Sequence, residues 1–430
     1  MFKKIFKLNI LILIPALLAG IIFLCGFAAV VPDGVTVNGV AVGGKPYTRA
    51  AAEVREKIAS GLDGKTLEIV GGQEVYTFSY PEISFKDDLY KTLKSARRGD
   101  TLTASVSYYL CGLDEIARYI CANESVSPVE PYAVFNRRGD PFTYCEGRDG
   151  RKADGEKLKK DIMYSLSGGF EKVNISFTGV PRAKSMDEVR SQTKKLASFT
   201  TNFDGSNFNR SSNIRLAANY LSGTVLASGK TLSFNDIVGA RVVSRGFLPA
   251  KIIENGVFTD GVGGGVCQVS TTLYNAALLA GLKIEEFHPH TLAVGYVPPS
   301  RDAMVSGKSF DLKIKNPAKT PVYIRAATAN GSVNFTFYGA DDGAEYSIKS
   351  SVTGSIPAPE EVTKEPDKAR DGRDGITSES YLEITRGGYT KRTLLRKDTY
   401  LPVKKIAFEG ADGDSENAEG EEAGAEEKIG

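Results

Sequence analysis

From Ile10 to Val31 the chain reads ILILIPALLAGIIFLCGFAAVV, 22 residues without a charge, preceded by Lys3, Lys4 and Lys7. A helix of that length spans the hydrocarbon core of a bilayer. We read residues 1–9 as a cytoplasmic basic N-terminus and 10–31 as a single membrane anchor. The lysines keep that end inside, which puts the rest of the chain beyond the cytoplasmic membrane. A cleaved signal peptide is the competing reading, but its apolar region usually runs to only roughly 7 to 15 residues. Lipoprotein processing fits less well, because Leu24 ahead of Cys25 is bulky where a small residue is needed.

A chain of 430 residues is too long for one hydrophobic core and divides into several domains. Its formal net charge is only +2, but residues 409–430 hold nine acids against one lysine, so the body between anchor and tail is basic. A basic body outside the membrane suits anionic wall polymers and gives no reason to expect nucleic acid. The tail is low in complexity and acidic, and reads as disordered.

Between these ends the pattern is mixed. Residues 33–180 alternate short strands with helices: TLEIVGGQEVYTF and PYAVFNRRGDPFTYC read as strand pairs, and DGEKLKKDIMYSLSGG as a helix. Residues 202–339 form a second α+β region, with SSNIRLAANYLSG as a helix and SFDLKIKN, PVYIRAATA and SVNFTFYG as strands. The proline-rich, charged stretch 354–375 reads as a linker, and 376–408 as a small β module that cannot bury much surface alone.

The candidate chemistry lies in GVGGGVCQVSTTLYNAALLAGLKIEEFHPH, ending at His290, which contains Cys267 and the chain's only two histidines. Glycines at 263, 264 and 265 cannot continue a helix, whereas the residues from Gln268 have helical spacing, so Cys267 falls at a helix start. Unpaired N–H groups and the helix dipole there favour a thiolate and a developing oxyanion. Gly265 and Gln268 are the backbone candidates to hold that oxyanion. The following KIEEFHPH reads as a strand whose alternation puts Glu286, His288 and His290 on one side. Either histidine serves as a base for the thiol, with His290 preferred and Asp302 orienting it.

Other readings fit the same residues. Cys267 and the histidines also suit a tightly packed, non-catalytic pocket. A zinc site would use the His-x-His pair with Cys267, Glu286, Asp302 or Asp260; we expect no metal and no other cofactor. Cys111, Cys121 and Cys145 allow one disulfide, leaving Cys267 as the odd thiol.

TLSFNDIVG followed by GVGGGVCQVSTTLYNAALLAGLKIEEFHPHTLAVGYVPPSRDAMV resembles the VanW family, which is widespread in Gram-positive envelopes and associated with glycopeptide resistance. Ser300 departs from the family pattern, where glycine is usual. PYAVFNRRGDPFTYCEGRDGRKADGEKLKKDI is similar to a peptidoglycan-binding module that often precedes this domain, and 376–408 resembles the G-five modules of wall enzymes. The resemblance implies a wall setting, with peptidoglycan or its precursors as partner. It implies no particular reaction.

Overall fold

The structure, a computed structural model, describes residues 29–408 except 73, 255, 256, 308, 366 and 367. Most of the expected anchor therefore lies outside the described residues, as does the acidic tail; among the described residues no helix is long and apolar enough to cross a membrane. The anchor's C-terminal boundary is corrected. Val30 bridges Pro46 and Val31 is 1% exposed in an apolar core with Val35, Val37 and Val42, so these two valines belong to the folded part.

The described chain is α+β and divides into two compact units: one takes the chain up to Glu130 together with Gly147–Ala183, the other Pro131–Glu146 and everything from Lys184. The first unit has two apolar cores. In one, Ala50, Ala51, Val54 and Ile58 form the buried stripe of helix Tyr47–Ser60 and meet Val35, Val37 and Val42. In the other, helices Leu113–Glu124 and Gly155–Gly168 share a core with strand Leu67–Val70. That strand is flanked by Val75–Phe78 antiparallel and Val173–Asn174 parallel. Asp154 caps the second helix, accepting from the Lys157 N–H at 2.9 Å.

In the second unit, four strands pair antiparallel in the order Lys194–Asn202, Ser332–Gly339, Val322–Ala329, Thr224–Leu226. Strand alternation splits their side chains. Val333, Phe335, Phe337, Val322 and Ile324 face the core that holds helices Phe208–Leu221 and Val266–Leu279. On the opposite face Tyr323 and Tyr338 are met by Phe135 and Phe142 at ring-centroid distances of 5.1–6.4 Å. These aromatic pairs account for a departure from the sequence reading. The hairpin Tyr132–Phe135/Phe142–Cys145 belongs to the second unit, not to an unbroken 33–180 region.

The C-terminal residues also depart from expectation. Strand Glu345–Ile356 runs into the expected linker, and Glu360–Thr363 pairs parallel with Lys405–Phe408. Gly375–Arg386 lies between Glu345–Ile356 and Tyr389–Tyr400 in one sheet, whose Ile348, Leu382 and Leu395 join the second unit's core. The β module is thus an integral wall of that unit.

The glycine run is shaped by close packing. Gly263 and Gly265 have φ of 94° and 105°, a region that a side chain disfavours. A Cβ on Gly264 would sit 2.6 Å from the Lys251 carbonyl oxygen, inside contact distance of rigid backbone. Gly264→Ala is expected to destabilise the protein by about 1–3 kcal/mol in chemical denaturation. A midpoint equal to wild type would show that the strand Pro249–Glu254 gives way freely.

A cysteine, a histidine and an aspartate at a helix start

Helix Val266–Leu279 begins directly after Gly265 and is buried on every side, rather than on the single apolar face its spacing suggests. Its polar residues are bonded internally. Ser270 donates to the Ala303 carbonyl at 2.6 Å, Thr272 pairs with Thr201 at 2.8 Å, and Asn275 donates to the Arg301 carbonyl at 2.7 Å. Cys267 is the exception. Of the residues from Gly263 to Leu278 it alone is not buried.

Beside the thiol lies His290, 6% exposed, with Asp302 fully buried behind it. Asp302 Oδ2 accepts from the His290 backbone N–H and from Nδ1, each at 2.7 Å. A carboxylate only accepts, so Nδ1 carries the proton and Nε2 is the nitrogen left for the thiol. Burial pushes the Cys267 thiol up, but its bond to His290 and the charges of His290 and Arg241 outweigh that, and its pKa is lowered. Burial likewise opposes the imidazolium; Asp302 and Cys267 overcome it and raise His290 to about 9. Asp302 is held below the usual carboxylate range despite burial, through His290, Arg396 and Tyr400.

His288 does not join this row. The strand stops at Glu286, and the chain then turns, so the alternation that would align both histidines is lost. His288 Nε2 lies 3.1 Å from Glu286 Oε1, and its ring lies tilted against Phe310 with centroids 4.8 Å apart. Gln268 is also placed differently from the oxyanion role. Its backbone N–H donates to the Gly265 carbonyl at 3.0 Å, and its side chain ties the helix to Asn202 at 2.8 Å and Arg210 at 2.9 Å. Gly265 occupies the N-cap itself.

Several neighbours of the site escape the sequence reading. The Tyr296 phenol is held by Thr271 and lies close enough to Cys267 to feel its charge; burial raises its pKa. From the C-terminal sheet, Arg396 donates Nη1 to the Asp302 carbonyl at 2.6 Å and Nη2 to Oδ1, and Tyr400 donates to Oδ1 at 2.5 Å. Arg396 is itself paired with buried Asp398, Nε to Oδ2 at 2.6 Å. The alternate positions 396, 398 and 400 thus all face inward, a spacing present in LLRKDTY that does not reveal which face is buried. Tyr400 also accepts from the Ser300 N–H at 2.8 Å, and Ser300 Oγ meets Ser378 Oγ at 2.7 Å. Ser300 has φ of 57°, which explains why glycine suits this position; its buried hydrogen bonds offset the left-handed backbone.

Among the described residues no three His, Cys, Asp or Glu side chains are grouped to hold a metal ion. Glu286 is engaged by His288 and Lys313, and Asp260 pairs with Lys251. Cys111, Cys121, Cys145 and Cys267 are all free thiols.

Fold and site together define an α+β domain with a Cys–His–Asp row at the start of a buried helix. Residues 209–338 match the family model described as VanW like protein. The chain is 36% identical over 236 residues to the Uncharacterized protein YoaR of Bacillus subtilis (strain 168), covering 54% of this chain and 75% of that protein. It is 31% identical over 113 residues to the Vancomycin B-type resistance protein VanW of Enterococcus faecalis, covering 25% of this chain and 41% of the relative. No solved structure matches it significantly. The chain belongs to the VanW family.

Proposed function

We propose that this protein is a membrane-anchored cell-envelope enzyme in which Cys267 performs acyl transfer or hydrolysis on peptidoglycan stem peptides. The observation that carries this is one thiol at the start of a buried helix, beside an imidazole already oriented by a buried aspartate. The Cys267 thiolate bonds to a carbonyl carbon, the C–N bond breaks, and the His290 proton passes to the departing amine. Water or a second amine then attacks the thioester, gives a proton back to His290 and releases the sulfur. Asp302 keeps Nδ1–H fixed and stabilises the imidazolium throughout. Residues 10–28 tether the chain to the cytoplasmic membrane, and the first unit holds peptidoglycan or its precursors. The enterococcal relative named for vancomycin resistance and the basic body support the envelope setting.

The test is incubation of the purified protein with defined muropeptides, following products and a thioester on Cys267 by mass spectrometry. His290→Ala is expected to lower turnover by about 10²- to 10⁴-fold, whereas His288→Ala, whose imidazole pairs with Glu286, retains most of it. Cys267→Ala turning over like wild type would overturn the proposal in favour of a non-catalytic binding protein.

A further inference from the structure

The thiol chemistry uses only the charge of one neighbouring cation, Arg241, and leaves its hydrogen-bonding fork without a role. Arg241 follows the short helix Phe234–Val238, and its stem lies across Gly263: a Cβ there would come within 2.9 Å of the Arg241 Cβ. Its guanidinium is fixed from two sides. Nη2 donates to Asn235 Oδ1 at 2.5 Å, and the group lies 5.6 Å from the Phe234 ring centroid. Asn235 is itself anchored, its N–H donating to Asp311 Oδ1 and its Nδ2 to the Phe310 carbonyl, each at 2.9 Å.

Arg241 is half-buried, yet its hydrogen-bond partner among the described residues is this neutral amide. The nearby acid does not neutralise it directly. Asp311 is occupied by the Ser233 hydroxyl at 2.5 Å, the Asn235 N–H, and the Leu312 N–H at 2.8 Å. A guanidinium presents five donors in a planar fork, and partial burial without a carboxylate costs it hydration that no ion pair repays. The group that best satisfies such a fork is a carboxylate held by two parallel N–H bonds. Arg241 also lies close enough to Cys267 for each charge to act on the other.

We propose that Arg241 binds a carboxylate of the molecule presented to Cys267, so that the site selects acyl substrates carrying a free carboxylate near the carbonyl under attack. This rests on the reading of Cys267 as the nucleophile and narrows its substrate class to anionic peptides. Asn235 and Phe234 hold the fork ready, and Gly263 leaves room for its stem.

The test needs no natural substrate. Alkylation rates of Cys267 in the purified full-length protein are measured with iodoacetate and with iodoacetamide, across a pH range that reaches the plateau for each variant. Two reagents differing in a carboxylate against an amide report the fork directly. The iodoacetate-to-iodoacetamide ratio is expected to fall by about tenfold in Arg241→Gln, as loss of a charge-assisted bond implies, and to fall less in Arg241→Lys. An unchanged ratio in Arg241→Gln, with Cys267 still reacting, overturns the carboxylate role and leaves the nucleophile intact. No preferential reaction of Cys267 with either reagent overturns the nucleophile and this inference together. A wild-type measurement guards against misfolded variants: N-acetylglycine is expected to slow iodoacetamide alkylation, and N-acetylglycinamide is not. Equal effects of the two count against the proposal.

Discussion

Iodoacetamide at about pH 6.5, two units below the ordinary thiol value of about 8.5, is expected to label Cys267 ahead of Cys111 and Cys121. Burial pushes Cys111 and Cys121 up, with Glu82 and Asp154 adding to the effect, so both stay protonated. At Cys267 the balance runs the other way, because the imidazolium beside it stabilises the thiolate. The sign for turnover follows from the two groups together. Below the lowered thiol pKa the nucleophile is protonated; above about 9 His290 loses the proton the leaving amine requires. Labelling should therefore rise once with pH and remain high, whereas turnover should form a bell whose alkaline limb lies near pH 9. Cys267→Ala should abolish both the early label and turnover. A titration midpoint near that of a free cysteine, or labelling only after denaturation, would remove the basis for a nucleophile.

Arg396→Leu is expected to cost about 3–5 kcal/mol of stability, because it leaves buried Asp398 without its cation and buried Asp302 with only His290 as a cationic partner. Arg396 is 6% exposed and contacts both Asp302 and Asp398. Its removal should also let the Asp302 carboxyl rise in pKa and move, which weakens the hold on His290 and carries the thiol midpoint upward. Arg396→Lys keeps the charge but not the fork, and should recover part of each effect. Arg392 on the same strand points outward over Tyr381, so Arg392→Leu should change stability by no more than about 0.5 kcal/mol. Denaturation curves and the pH profile of Cys267 labelling together decide the matter. Wild-type values of both in Arg396→Leu would show that the C-terminal sheet has no part in the site.

The start of the cysteine helix was legible in sequence because glycine geometry is local: three glycines followed by helical spacing leave few places for the first turn. His290 and Asp302 were legible as chemistry, and His290 was preferred, but His288 could not be set aside from the sequence. That choice depends on where a strand ends, and Phe287–Pro289 gives no alternation that decides it. The polar residues Ser270, Thr271, Thr272 and Asn275 suggest a solvent face, yet their hydrogen-bond partners arrive from Thr201, Arg301 and Ala303. Such pairing is invisible to a local pattern. The same holds for the hairpin Tyr132–Cys145, whose aromatic residues meet rings nearly two hundred positions away, and for Arg241, which approaches the site over Gly263.

The family match ends at residue 338, whereas the groups that neutralise and fix Asp302 come from 396 and 400, up to 98 residues beyond that aspartate. Chain order thereby imposes a schedule. While the protein emerges from the ribosome, Cys267, His290 and Asp302 are all present before Arg396 and Tyr400 exist, and Asp302 gains those two partners only when the last long strand closes onto the sheet. A chain interrupted between Asp302 and Arg396 carries every member of the row and lacks the guanidinium that holds the Asp302 carboxylate.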